Sequence, residues 1–167
     1  MGNIATDMFL LKTYQYLIWV DRFSGYTWVH PFNKHPNISK VIEVLHNSFL
    51  QTGFPRRKRS DFGQQNRTEF NRWCTENKII KETSSPYRSR SNRLAENAVK
   101  QVKNLIIKCQ NTKASFEAAY LALKSCPRSS DGLSASELFY GRQLKIPGLP
   151  YIETQNDYNK LEQERQN

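Results

Sequence analysis

The sequence predicts an α/β fold in which five short strands are flanked by helices. Three observations carry that expectation. The first 32 residues hold three runs of aromatic and β-branched residues separated by two short polar breaks, the pattern of an antiparallel meander. Beyond them the apolar residues recur with helical spacing. Between those helical stretches Ile79-Ile80 opens a further short strand, and the charged Arg57 to Asp61 is placed as another.

The elements follow in order. Ile4 to Leu11, Tyr14 to Phe23 and Tyr26 to Phe32 are the three strands of the meander, broken at Lys12-Thr13 and Ser24-Gly25. A helix follows, because Ile38, Val41, Ile42, Leu45 and Phe49 form one apolar stripe, with Asn37 placed to cap its start. Gly53 and Pro55 end it. Arg57 to Asp61 is the least legible strand, being almost wholly charged. Thr68 to Asn77 reads as a short helix with Phe70, Trp73 and Cys74 inward, and Ile79-Ile80 opens the last strand. From about Asn92 to Gln110, Ala95, Ala98, Val99, Val102, Leu105, Ile106 and Cys109 share one helix face. Further helices are expected over Lys113 to Lys124 and Ser134 to Tyr140. Pro147 and Pro150 close a domain spanning residues 1–150, and 151–167 is a polar tail, expected to be loose or a frayed helix.

Composition narrows the function. With 38% hydrophobic and 12% aromatic residues, the 167-residue chain can bury a core. No run of about 18 apolar residues provides a membrane span, and no charged-then-apolar leader marks the chain for secretion. Cys74, Cys109 and Cys126 stand far apart, which fits reduced thiols in a nuclear or otherwise intracellular protein. The net charge is +10, and basic residues cluster at Arg56 to Arg59, at Arg88, Arg90 and Arg93, and at Lys100, Lys103 and Lys108. A surplus of that size favours a polyanion, since neutralised phosphates release counterions. His30, His35 and His46 have no cysteine pair beside them for zinc. No Gly-x-Ser-x-Gly or phosphate-binding glycine loop supports a hydrolase or a nucleoside triphosphatase.

Several ordered blocks resemble the catalytic core of retroviral and gypsy-type retrotransposon integrases. Ser84-Ser85-Pro86-Tyr87, followed through Ser91-Asn92 to Glu96, resembles the turn and loop leading to the family's catalytic glutamate. Gly53-Phe54-Pro55 and Ser60-Asp61-Phe62-Gly63 resemble the turn and strand end that bear its second aspartate. Tyr16 to Ser24 is similar to the family's second strand, which places Asp7 on the first strand as the first aspartate. Leu133 to Arg142 resembles a structural element that follows the core. The resemblance runs from about Asp7 to Pro150. It implies an RNase H-like fold with a five-stranded mixed sheet and a DDE carboxylate triad of Asp7, Asp61 and Glu96. It also implies DNA integration by polynucleotidyl transfer, with end trimming by water and then strand transfer from a 3′-hydroxyl.

The chemistry suits those residue types. Two Mg²⁺ or Mn²⁺ ions about 3.5–4 Å apart activate an attacking oxygen and stabilise a leaving one in line across phosphorus. Magnesium takes hard oxygen ligands and keeps several waters, so a few carboxylates from different elements suffice. By the resemblance, Asp7, Asp61 and Glu96 hold the metals, while Lys100 and Lys103 grip DNA phosphates. Arg88, Arg90 and Arg93 are implied as loop contacts to DNA, and Asn92 as a hydrogen-bonding residue near the scissile end. DNA and further copies of the chain are the implied partners. Taken alone, Glu96 and Lys100 read as an i, i+4 ion pair on a solvated face opposite the apolar stripe, which Lys103 shares. Asp21 reads as structural, bonding the Ser24-Gly25 turn.

The sequence also departs from the family. Between Asp61 and Glu96 stand 34 residues, one fewer than is usual. Phe62 replaces a polar residue, Ser89, Arg90 and Arg93 replace proline, glutamine and glycine, and Asn97 stands where arginine is common. An arginine resists the positive φ a loop glycine allows. The family's zinc-binding and C-terminal DNA-binding modules are absent from these residues. The alternative is a domesticated or decayed core that binds nucleic acid or a protein without catalysis.

Overall fold

A computed structural model describes residues 2–60, 67–82, 90–127 and 132–147, with the side chains of 60, 67 and 90–95 outside the description. Three long strands come first: β1 (Asn3–Leu11), β2 (Tyr14–Asp21) and β3 (Thr27–Phe32). Then follow α1 (Ile38–Thr52), β4 (Arg57–Ser60), α2 (Arg67–Glu76) and β5 (Ile80–Glu82). The chain continues through α3 (Arg90–Thr112), α4 (Phe116–Ser125) and α5 (Ala135–Tyr140). The expected tail, 151–167, lies outside the described residues.

The five strands form one sheet in the order β3-β2-β1-β4-β5. β1 to β3 are the expected antiparallel meander, and β4 and β5 pair parallel. β1 is therefore the hinge of the mixed sheet, antiparallel to β2 on one side and parallel to β4 on the other. Its pleat sends alternate side chains to opposite layers. Ile4 and Met8 pack with α1 and α2, whereas Phe9 and Leu11 pack with α3 and α4.

Both layers are filled as the apolar patterns require. On one face Leu17, Trp19, Phe49, Phe70 and Trp73 make the core beneath α1 and α2, joined by Ala135 of α5. On the other, Ile18 and Val20 meet Ala98, Val99, Val102 and Ile106 of α3 and Tyr120 of α4. Trp19 has no exposed surface, and its indole N–H donates to Ser48 Oγ at 3.1 Å, so the deepest ring leaves no orphan donor.

Local signals placed the helix ends. Asn37 caps α1 by accepting from the Lys40 N–H at 2.9 Å, and Gly53, at φ 88°, donates back to Phe49 O. Ser134 and Glu137 form a reciprocal capping box at α5. One boundary moved. Lys113 takes φ 56° and ends α3, so α4 starts only after its own cap at Ser115 rather than at Lys113.

Candidate functional site

Asp7 sits near the middle of the central strand, paired with Ile18 of β2. Ile18 belongs to the α3-side core, and pleat alternation puts Asp7 on that same side. The carboxylate is half-buried, and its Oδ1 accepts the Met8 N–H at 2.7 Å, which fixes the side chain's orientation.

Two contacts set the position of α3 along β1. Lys103 Nζ lies 5.1 Å from the Phe9 ring centroid, and Lys12 Nζ donates to Gln110 Oε1 at 2.7 Å. Strand and helix therefore ascend in the same direction. Stepping back two strand residues from Phe9 to Asp7 covers about 7 Å. That is the rise of four or five helical residues. Asp7 is thus level with the region of Ala98, and Glu96 is about half a helical turn away.

Glu96 and Lys100 are exposed, as expected for a face turned from the apolar stripe. The i, i+4 ion pair anticipated between them does not form among the described residues. Lys103 departs from the expectation. It is half-buried at the border of the packed face, where its ammonium meets the Phe9 ring.

Asp61 and Arg88 lie outside the described residues. β4 ends at Ser60, whose register partner on β1 is Thr6, the residue before Asp7. By the resemblance Arg90, Asn92 and Arg93 belong to a loop, whereas the apolar spacing starts the helix at about Asn92. The backbone instead places all three in the first turn of α3, because the helix begins at Arg90. The substitution at Arg93 thus occupies helical backbone, where arginine is a good former.

Asp21 is excluded from this site by the same pleat. It pairs with Ile4, whose side chain belongs to the α1 side of the sheet, the face opposite Asp7. Its carboxylate, 4% exposed, accepts from Ser24 N–H at 2.8 Å and from Ser24 Oγ–H at 2.7 Å. It holds the β2–β3 turn, as the sequence indicated.

β4 carries charges that the sequence run announced without revealing their setting. Lys58 is 1% exposed, with its ammonium 3.6 Å over the Phe70 ring, and burial pushes its pKa well below the ordinary lysine value. Arg57 and Arg22 share Glu82, at the end of β5. The pairing of Arg22 with Glu82 was not visible in the sequence, because 60 residues separate them.

No group of three or more histidine, cysteine or acidic residues suited to a metal occurs among the described residues, of which Asp61 is not one. Asp7 and Glu96 supply hard oxygen donors of the kind Mg²⁺ and Mn²⁺ take, so the donor chemistry fits.

No family model and no curated protein matches the chain. Solved structures do. The BIV integrase catalytic core aligns with a TM-score of 0.69 at 19% identity, covering 83% of this chain and 93% of that one. The fold is that of a retroviral integrase catalytic core. The HTLV-2 integrase catalytic core, solved in complex with magnesium in a trimeric form, aligns with a TM-score of 0.65 at 20% identity, covering 83% of this chain and 95% of that one. A chain of the simian T-cell lymphotropic virus intasome, in complex with PP2A regulatory subunit B56 gamma, aligns with a TM-score of 0.72 at 20% identity. That alignment covers 92% of this chain and 58% of the intasome chain, so this chain spans little more than half its length. The integrase-core sheet, mixed and five-stranded, is the RNase H-like arrangement expected from the sequence. No helix among the described residues is long and apolar enough to cross a membrane.

Proposed function

We propose that the chain is an integrase-type polynucleotidyl transferase core that acts on DNA phosphodiesters with divalent metal, trimming ends and joining a 3′-hydroxyl to a target strand. The observation that carries this is the placement of Asp7 on the α3 side of the central strand, level with the part of α3 that bears Glu96. Asp61 is the third ligand in this proposal. In sequence it directly follows Ser60, the register partner of Thr6, which itself directly precedes Asp7.

Asp7, Asp61 and Glu96 would hold two Mg²⁺ or Mn²⁺ ions, which when bound supply the activation of the attacking oxygen and the stabilisation of the leaving one. The chain's own part is positioning. The Met8 N–H holds the Asp7 carboxylate, and α3 presents Lys100 and Lys103 to DNA phosphates along the same side of the sheet. Arg88, Arg90, Asn92 and Arg93 precede Glu96 and fall to the DNA end in this scheme. The integrases it resembles in fold, one solved with magnesium as a trimer and one in an intasome, support metal use, DNA as substrate and self-assembly.

One observation favours the second reading, a core that binds without cutting. Lys58 is a buried charge on β4, three residues before Asp61, where a strand flanked on both sides is ordinarily apolar. The deciding experiment measures Mn²⁺ affinity and metal-dependent cleavage and joining of a short duplex. For a transferase, Asp61→Asn and Asp7→Asn both lose metal binding and activity. Metal binding that persists in both variants would end the catalytic assignment, and metal binding with no cleavage would favour the silent core.

A further inference from the structure

Away from the three acids, a second set of charges gathers on the α3 side of the sheet, at its β4–β5 edge. Glu82 divides its carboxylate between two guanidiniums. Arg22 Nη1 lies 3.0 Å from Oε2, and Arg57 Nη1 lies 3.7 Å from Oε1. Arg59 is the register partner of Glu82 across the two parallel strands, and its side chain follows the same pleat as Arg57. Its Nε is buried and has no hydrogen-bond acceptor among the described residues.

Glu82 thus serves two guanidiniums, with Arg59 beside them on the same face of the sheet, so among these four residues the positive charges outnumber the negative by two. Like charges at this spacing repel, so the arrangement favours a further anion beside it. Planar guanidinium forks match phosphate oxygens. The cluster also has a direction. Arg59 pairs with Ala5, two residues before Asp7, so by strand spacings its Cα is about 8 Å from that of Asp7. The side chains of Arg22 and Arg57 remain in reach of solvent.

We propose that Arg22, Arg57 and Arg59, arranged around Glu82, form a phosphate-binding cluster that takes the backbone of a DNA strand leading away from Asp7 along the β4–β5 edge. This rests on the integrase-type reading for its ligand, yet it is separate from the lysines of α3. Glu82 acts as a spacer that holds two of the arginines apart while the strand is absent, and phosphate oxygens then compete with it for them.

The test is binding of an arbitrary-sequence DNA duplex in metal-free buffer, followed by fluorescence anisotropy over a series of salt concentrations. The Arg22→Gln/Arg57→Gln double variant should lower the slope of log K against log salt by about 1.8, or about 0.9 for each lost contact. Arg59→Lys keeps the charge and loses the fork, so it should weaken binding while leaving the slope in place. Glu82→Gln should bind DNA several-fold more tightly, whereas Glu69→Gln, the same charge change on α2 across the sheet, should stay within about twofold of the parent. An unchanged slope in the arginine double variant, or equal effects of Glu82→Gln and Glu69→Gln, would overturn the cluster. So would equally tight binding of polyglutamate of matched charge. A metal-binding chain with an unchanged slope loses the cluster and keeps the transferase; a lost slope in a chain that binds no metal does the reverse.

Discussion

Replacing Asp21 by alanine tests whether the fold separates its structural acid from its proposed metal ligands. The wild-type carboxylate accepts two hydrogen bonds, from the backbone N–H and the hydroxyl of Ser24, at 2.8 and 2.7 Å. Ser24 has no exposed surface, so water cannot replace the lost acceptor without opening the turn. Hydrogen bonds to a charged group contribute about 1.5–3 kcal/mol each, and the removed carboxylate also ceases to need burial, which offsets part of the loss. The expected cost is about 3–4 kcal/mol, a large share of the 5–15 kcal/mol typical of a domain. Asp21→Asn retains one acceptor oxygen and should cost about half as much. Urea unfolding of the three proteins measures these differences, with Mn²⁺ affinity recorded under conditions where each is folded. Affinity should be unchanged, because Asp21 faces the α1 layer and Asp7 the α3 layer. An alanine variant within 1 kcal/mol of the parent would refute the turn argument, and a folded Asp21→Asn protein that binds no metal would refute the assignment of faces.

Lys100→Ala/Lys103→Ala should weaken binding equally for unrelated DNA sequences and reduce the salt slope by about 0.9 per contact, checked by anisotropy. Arg93→Gly should lower stability by about 1 kcal/mol in urea and leave joining activity no higher, because position 93 is helical rather than part of a loop awaiting freedom. Burial lowers the Lys124 pKa to about 8, against about 10.4 unfolded, so between those values the unfolded chain holds a proton the fold does not. Stability should therefore rise from pH 8 towards 10, and Lys124→Met should flatten that rise in melts across the range. Tyr26 and Tyr120 are held above the ordinary tyrosine value by burial, so stability should decline above pH 10 in both proteins.

Where the sequence was legible, one element had one dominant signal. The meander declared itself through aromatic and β-branched runs, and α1 through a stripe bounded by Asn37 and Gly53. β4 was nearly invisible because its place is fixed by pairing on both sides rather than by apolar alternation, and Lys58 stands inside the core with no local warning. The start of α3 was blurred for the opposite reason: Arg90 to Arg93 suit a helix, while the family pattern there describes a loop. For the proposed site, Asp7 carries no motif of its own and is assigned only through the neighbouring blocks. Its face became clear once Ile18 was seen across the ladder. The charge of Lys103 was visible in the sequence, but its contact with Phe9 was not, since 94 positions separate them.

The two margins of the sheet bear on how copies of the chain can meet. On one side β3 is the edge strand and carries Pro31, which has no N–H to offer a further strand. On the other, β5 is three residues long among the described residues. The proline leaves the β3 margin one donor short for strand addition, so a second copy of the chain would meet a gap in any ladder built there.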